Sequence, residues 1–133
     1  MKTIKPFLMF QGGVAEEAMT FYTSLIEQSE ITSIRRYEAG EAGDEGTVMQ
    51  ATFKLKDQEF MCIDSNVTHA FDFTPSISIY LTCDNEEEIN HLFQQLGENG
   101  SILMPLDNYG FSKRFGWLND KYGVSWQLTV PND

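Results

Sequence analysis

Two side chains that could transfer protons, Asp64 and Tyr80, lie in strand-like segments of the sequence. A carboxylate can act as a general base and a phenol can donate or accept a proton. A lone carboxylate near the end of a strand is, however, more often solvated or held by structural hydrogen bonds. The sequence therefore leaves both a catalytic and a structural role open for Asp64, and it predicts no complete catalytic set.

The other reactive side chains are few. Cys62 and Cys83 lie inside apolar runs and form no CxxC motif, so we expect two buried thiols rather than a disulfide or a metal site. His69 falls in the polar connection between the two halves of the chain, and His91 falls on the polar side of a predicted helix. We expect both histidines to be solvated surface residues.

Length and charge limit the classes of partner. A chain of 133 residues is predicted to form one domain over 1–133, and its net charge of −11 argues against nucleic acid and anionic membrane surfaces. The charge is compatible with a neutral or cationic small molecule, although solubility is the simpler explanation. No apolar run reaches the roughly 20 residues of a membrane span, and the first residues lack a signal-peptide pattern, so we predict a cytoplasmic protein.

The chain repeats the order strand, helix, strand, strand, strand, which predicts two modules at 1–68 and 74–133. In the first module, the predicted elements are strand 4–10, helix 14–26 and strands 30–37, 47–55 and 58–64. In the second module, they are strand 76–83, a helix that opens at 84–88 and ends at Gly97, and strands 101–106, 111–118 and 124–130. Either Asp84 with Glu87 or Asn85 with Glu88 can form the capping box of the second helix.

Alternation along the strands predicts two different faces for each sheet. Ile77, Ile79, Leu81 and Cys83 point one way, while Ser76, Ser78, Tyr80 and Thr82 point the other. Residues 124–130 and 47–55 alternate in the same manner. The aliphatic faces are expected to pack on the helices. The polar faces are largely uncharged, and we favour the lining of a cleft over simple exposure to water for them.

Three segments make the chain resemble the PhnB-like branch of the vicinal-oxygen-chelate (glyoxalase/bleomycin-resistance) superfamily, whose members often carry the description 3-demethylubiquinone-9 3-methyltransferase. These segments are Pro6–Tyr22, which is similar to the opening strand and helix; Glu59–Asp64, similar to the fourth strand; and Phe115–Trp126, similar to the last hairpin. The resemblance implies an α+β fold in which two βαβββ modules form curved mixed sheets around a cleft. It also implies a homodimer.

Metal-dependent relatives in this superfamily hold their ion with histidines and glutamates on cleft-facing strands. The resemblance places Phe7, Ser78 and Gln127 at three of these positions, and none of them is a good metal ligand. The fourth position falls near Cys62 or Asp64. We therefore predict no metal and no cofactor, and the sequence has no glycine-rich turn of the dinucleotide-binding type that could hold an adenosyl group.

Two functions stay open at this stage. The favoured one is a metal-independent protein that binds a small neutral or cationic molecule. The alternative is an enzyme of undetermined reaction that uses Asp64 or Tyr80 for proton transfer, or that recruits a metal through other ligands. The predicted lining of the cleft is Met9, Gln11, Gln50, Asp64, Ser78, Tyr80, Trp117 and Gln127.

Overall fold

The order strand, helix, strand, strand, strand occurs twice in the computed structural model, which describes residues 1–133. The first set is β1 (Phe7–Phe10), α1 (Ala15–Leu25), β2 (Ser29–Arg36), β3 (Val48–Leu55) and β4 (Gln58–Asp64). The second set is β5 (Ile79–Thr82), α2 (Glu86–Gly97), β6 (Ser101–Asp107), β7 (Arg114–Asn119) and β8 (Ser125–Val130). The chain divides into two compact units, Met1–His69 and Ala70–Asp133, and each contains one set. The fold is α+β with two βαβββ modules.

Both modules have the same sheet topology. The first sheet has the order β1-β4-β3-β2 and the second has the order β5-β8-β7-β6. The opening strand of each module runs parallel to the last strand, and the remaining neighbours are antiparallel. Each sheet is therefore mixed and open, with one short edge strand and one longer edge strand.

Helix α1 begins without a capping side chain of its own. Its N-cap residue is Val14, whose side chain makes no capping hydrogen bond. The helix buries Ala18, Met19 and Tyr22 against β2, β3 and β4. On its exposed side, Arg36 of β2 donates two hydrogen bonds to the Glu16 carboxylate, and this pairing lowers the pKa of Glu16.

Helix α2 is capped by nearby residues. Asn85 accepts a hydrogen bond from the Glu88 N–H at 2.8 Å, and Glu88 accepts one from the Asp84 N–H at 2.9 Å. Of the two predicted pairs, Asn85 with Glu88 forms the cap, although Glu88 accepts from the Asp84 N–H rather than from the Asn85 N–H of a regular capping box. The helix buries Ile89 and two further apolar residues against its sheet. Neither α1 nor α2 is long and apolar enough to cross a membrane.

Four local expectations are wrong. Strand β1 starts at Phe7 rather than Ile4, because its pairing with β4 begins there, and Ile4 is 81% exposed. Strand β5 starts at Ile79 rather than Ser76, because its pairing with β8 begins there, and Ile77 is 74% exposed. Strand β7 starts at Arg114 rather than Phe111, because its pairing with β8 begins at Arg114 opposite Val130. Val48 is buried although alternation placed it on the polar face, because the β2–β3 register shifts beside it.

Candidate functional site

Tyr80, Gln127 and Trp117 form one row across the second sheet. Tyr80 of β5 pairs with Gln127 of β8, which pairs in turn with Trp117 of β7. Side chains of directly paired residues lie on the same face of a sheet. The three positions that the sequence predicted separately are therefore neighbours.

The adjacent row identifies the other face of this sheet. Ile79, Trp126 and Leu118 are paired in the same manner one residue along, and Trp126 and Leu118 are fully buried. Helix α2 packs against β7 and β8. The row of Tyr80 thus lies on the side of the sheet away from α2, where Tyr80 is 56% exposed and Gln127 and Trp117 are partly exposed.

Two serines extend this row by hydrogen bonds. The Trp117 indole N–H donates to Ser125 Oγ at 2.9 Å, and Ser125 Oγ lies 2.9 Å from Ser78 Oγ. Ser125 pairs with Asn119 at the end of β7, which brings a carboxamide to the same side. We call the set Ser78, Tyr80, Trp117, Asn119, Ser125 and Gln127 the polar face. It offers neutral hydrogen-bonding groups beside two aromatic rings, and it contains no carboxylate.

The Asp64 side chain is buried and accepts hydrogen bonds from two backbone N–H groups. Its oxygens accept the Ala15 N–H at 2.9 Å and the Val48 N–H at 2.8 Å, and the residue is 2% exposed. Asp64 shares its side of β4 with buried Phe60 and Cys62, so it points towards α1. The expectation that it faces a ligand together with Met9 and Gln50 is corrected: Asp64 is the missing cap of helix α1.

The remaining predicted residues of the first module lie in two other places. Gln11 accepts a hydrogen bond from the His69 N–H at 2.7 Å and borders a pocket of about 430 Å³ near the start of α1, which Asp64 also borders. Met9 and Gln50 lie on the side of the first sheet away from α1, by alternation from buried Phe10 and Ala51. The structure therefore joins Ser78, Tyr80, Trp117 and Gln127 in one group, and it separates Gln11 and Asp64 from Met9 and Gln50.

Comparison with known proteins assigns the chain to a family. Its sequence matches the 3-demethylubiquinone-9 3-methyltransferase family over residues 2–129. The chain belongs to this family. A structure described as a putative 3-demethylubiquinone-9 3-methyltransferase, PhnB protein, from Bacillus cereus is 64% identical, with a TM-score of 0.93 over 97% of this chain and 99% of that one.

Two further structures share the fold. A protein from Pseudomonas aeruginosa is 26% identical, with a TM-score of 0.85 and complete coverage of both chains. A glyoxylase/bleomycin resistance protein/dioxygenase domain from Frankia sp. EAN1pec is 9% identical and shares the fold, with a TM-score of 0.67 over 100% of this chain and 93% of that one. No curated protein matches the chain. The predicted PhnB-like branch and the predicted fold are both confirmed.

The hairpin that carries the family resemblance is held by a buried carboxylate. Asp120 Oδ1 accepts the N–H groups of Tyr122 at 2.8 Å and Val124 at 3.0 Å, and Oδ2 accepts the Trp126 indole N–H at 2.9 Å. Asp120 is 3% exposed. The hairpin between β7 and β8 is thus a structural motif in this family member, and it positions β8 and the polar face.

The metal-ligand positions of related superfamily members do not fit a metal in this family member. Phe7 has no donor atom, the Ser78 hydroxyl lies in a hydrogen bond with Ser125, and a Gln127 amide is a weak ligand. No group of three or more His, Cys, Asp or Glu side chains is arranged to hold an ion. We therefore derive no chemistry through a metal at these positions.

The thiols and histidines are not part of the polar face. Burial raises the pKa of Cys62 to about 12, with a contribution from the Asp64 charge, and burial likewise raises that of Cys83 to about 12. Both thiols stay protonated at neutral pH and are poor nucleophiles. His91 is exposed as expected, whereas His69 is only partly exposed and its ring lies 3.0 Å from Ser65 Oγ.

The sequence prediction missed Ser125, Asn119 and Asp120. Alternation along β8 already placed Ser125 on the side of Gln127, and that signal was available. Asn119 and Asp120 were assigned to a turn, where their side chains have no predicted direction. Their positions follow from the pairing of β7 with β8, which a single sequence does not give.

Proposed function

We propose that this chain is a metal-independent protein that binds a small neutral molecule with an aromatic ring on the polar face. The observation that carries the proposal is the paired row of Tyr80, Gln127 and Trp117, which is open to solvent and supported by the Ser125 hydrogen bonds. Aromatic rings with a few fixed polar groups are typical of small-molecule sites. The fold of the family is compatible with such binding, and the proposal does not depend on the methyltransferase description.

The position of Asp64 supports a neutral ligand rather than a cationic one. Asp64 was the only carboxylate in the predicted lining of the cleft, and both of its oxygens accept backbone hydrogen bonds on the side of β4 that faces α1. The polar face itself is uncharged. We therefore favour a neutral ligand, and we do not propose proton transfer by Asp64.

The proposal can be tested by NMR with indole, benzamide and phenol as probes. We expect at least one of them to shift the amide resonances of Tyr80 and Gln127 and the indole N–H resonance of Trp117. Tyr80→Ala and Gln127→Ala should each weaken binding at least tenfold, which is about 1.4 kcal/mol of contact energy. The melting temperature should change by only a few degrees, because both side chains are partly exposed.

Two controls make this test specific. Gln94→Ala removes an exposed glutamine from α2 and should leave binding unchanged. Binding should also persist in excess EDTA, since the proposal uses no metal. The proposal is wrong if the probes shift residues elsewhere, if neither substitution on the polar face affects affinity, or if EDTA abolishes binding.

We also propose that the protein is a homodimer and, from the sequence alone, cytoplasmic. The edge strand β2 carries Arg35 and Arg36, and the edge strand β6 contains Pro105, and both features oppose edge pairing. By contrast, the short edge strand β1 exposes Phe7 by 53%, and Ile77 just before the edge strand β5 is 74% exposed. These apolar edges are suited to a second copy.

Light scattering is expected to give a mass about twice the 15.2 kDa of the chain at micromolar concentration. Ile77→Asp should shift the equilibrium towards the monomer, because a charge would then enter the contact. A mass of one chain for the unmodified protein over the whole concentration range would contradict the proposal.

A further inference from the structure

A cluster of three aromatic rings lies beside the polar face. Tyr109 and Phe111, in the loop between β6 and β7, both meet the ring of Phe115 edge-on, with centroid distances of 6.1 and 5.0 Å. The Tyr109 and Phe111 rings are nearly parallel to each other, at 15°. Phe115 is only 5% exposed, whereas Tyr109 is 38% and Phe111 is 59% exposed. We call these three residues the aromatic corner.

The aromatic corner lies on the same side of the second sheet as the polar face. Phe115 and Trp117 are two residues apart on β7, so their side chains point to the same side and their Cα atoms are roughly 7 Å apart. Gly116 between them faces α2, because a Cβ at this position would meet Phe93 of the helix. The other two rings of the corner contact Phe115, so they also lie on the side away from α2.

The two ends of this side of the sheet differ in chemistry. Met104 of β6 pairs with Trp117, so its side chain lies on the same side, where it is partly exposed. Together with the aromatic corner, it makes one end apolar. The opposite end, two residues beyond Trp117 on β7, carries Asn119 and the hydrogen-bonded hydroxyls of Ser78 and Ser125. We call this opposite end the serine end.

Hydrogen bonds within the loop hold the exposed rings of the aromatic corner. The Tyr109 hydroxyl donates to the Pro105 carbonyl at 2.6 Å, and the Gly110 N–H donates to Asn108 Oδ1 at 2.8 Å. Phe111 therefore presents its ring to solvent from a fixed position, and a ligand that contacts it loses less free energy in ordering the loop. Contiguous exposed apolar groups next to a few polar ones are typical of a ligand site.

We infer that the aromatic corner and Met104 bind the apolar part of an elongated ligand, whose polar group lies towards the serine end. This inference rests on the proposed function, and it narrows the ligand to an aromatic ring that carries an apolar substituent, such as an alkyl chain. Asp107 pairs with Phe115 at the outer edge of the sheet and is exposed, so an acidic substituent is not expected at this end. Phe111 is thus a specificity-determining residue.

Phenol and 4-butylphenol test the inference, because they differ only in an apolar chain. In NMR titrations, the unmodified protein should bind 4-butylphenol at least about tenfold more tightly, since the chain leaves water for apolar contacts. Phe111→Ala should reduce this preference to less than about threefold and leave the affinity for phenol within about twofold. Ile102→Ala is the control: Ile102 is 47% exposed on β6, but it pairs with Leu118 and so lies on the α2 side, and this variant should keep the preference.

Two further measurements locate the chain of the bound molecule. Intermolecular NOEs should connect the butyl methyl group to the Met104 methyl group and to the Phe111 ring, and NOEs from it to the serine end instead would overturn the inference. The anion 3-(4-hydroxyphenyl)propanoate should bind no more tightly than phenol, and a gain equal to that of 4-butylphenol would contradict an apolar subsite. Circular dichroism checks that Phe111→Ala is folded, and Phe111→Leu, which keeps an apolar side chain, should retain part of the preference.

The outcomes separate the inference from the proposed function. Equal affinity for phenol and 4-butylphenol, with shifts of the Tyr80 and Gln127 resonances, would support the proposed function and overturn the inference. No binding of any probe to the unmodified protein would refute both. If Phe111→Ala keeps the full preference but has a lower mass in light scattering, the aromatic corner is a contact between copies of the chain, and the inference is overturned. A preference that is lost in Phe111→Ala and kept in Ile102→Ala would support both.

Discussion

Replacing Asp120 by alanine is expected to lower the free energy of unfolding by about 3 to 5 kcal/mol. The substitution removes the acceptor for the N–H groups of Tyr122 and Val124 and for the Trp126 indole N–H. The Val124 and Trp126 donors are buried, so the loss of this acceptor is expected to cost roughly 1 to 3 kcal/mol for each donor. Urea unfolding followed by far-UV circular dichroism measures the loss.

Two variants accompany this measurement. Asp120→Asn keeps an oxygen for the backbone donors but turns an amide N–H₂ towards Trp126, so we expect a smaller loss than for alanine. Asp133→Ala removes an exposed carboxylate whose ion pair with Lys113 is at the surface, and it should change the stability by less than about 0.5 kcal/mol. Stability of Asp120→Ala equal to that of Asp133→Ala would contradict the structural role of this hairpin.

Asp64→Ala is expected to lower the free energy of unfolding by about 2 to 4 kcal/mol, because the buried N–H groups of Ala15 and Val48 both lose their acceptor. Asp44 borders the same pocket but is exposed, so Asp44→Ala is a matched control that should change the stability by less than about 0.5 kcal/mol. Denaturant unfolding of the two variants side by side gives the comparison.

Measurements of both stability and ligand affinity on Asp64 variants distinguish a structural from a functional role for this residue. A cap of α1 should affect stability while the affinity of the folded protein for indole or benzamide stays within about twofold. An Asp64→Asn variant with unchanged stability but lost binding would show that the carboxylate contacts the ligand, and the sequence-based assignment of Asp64 to a ligand face would then be restored.

The arrangement of elements was predictable because its signals are local. Alternation in β8 and the helical stripe of α2 each depend on a few consecutive residues, and they placed Gln127 and Trp126 on opposite faces correctly. The placement of Tyr80 and Gln127 on the same face of the sheet also followed from the sequence, since both side chains face away from the aliphatic positions of their strands. Family resemblance added the topology that joins β5 to β8.

The candidate site was less predictable because it depends on contacts between distant residues. Alternation along β4 would have grouped Asp64 with Phe60 and Cys62, but the register of this strand was left open, and Asp64 was assigned to the ligand face. The hydrogen bonds that give Asp64 its role reach residues 49 and 16 positions away. The Asn119 carboxamide likewise joins the polar face only once β7 is paired with β8.

The different caps of the two helices have a consequence for the order of folding. Helix α2 is capped by residues within four positions along the chain. Its first turn can therefore form and unfold on the timescale of local motions. Helix α1 receives its cap from β4, which requires closure of a long loop before the first turn is stabilised. Helix α1 therefore belongs to the late stage of assembly, and its start reports on the docking of β4 rather than on the local sequence.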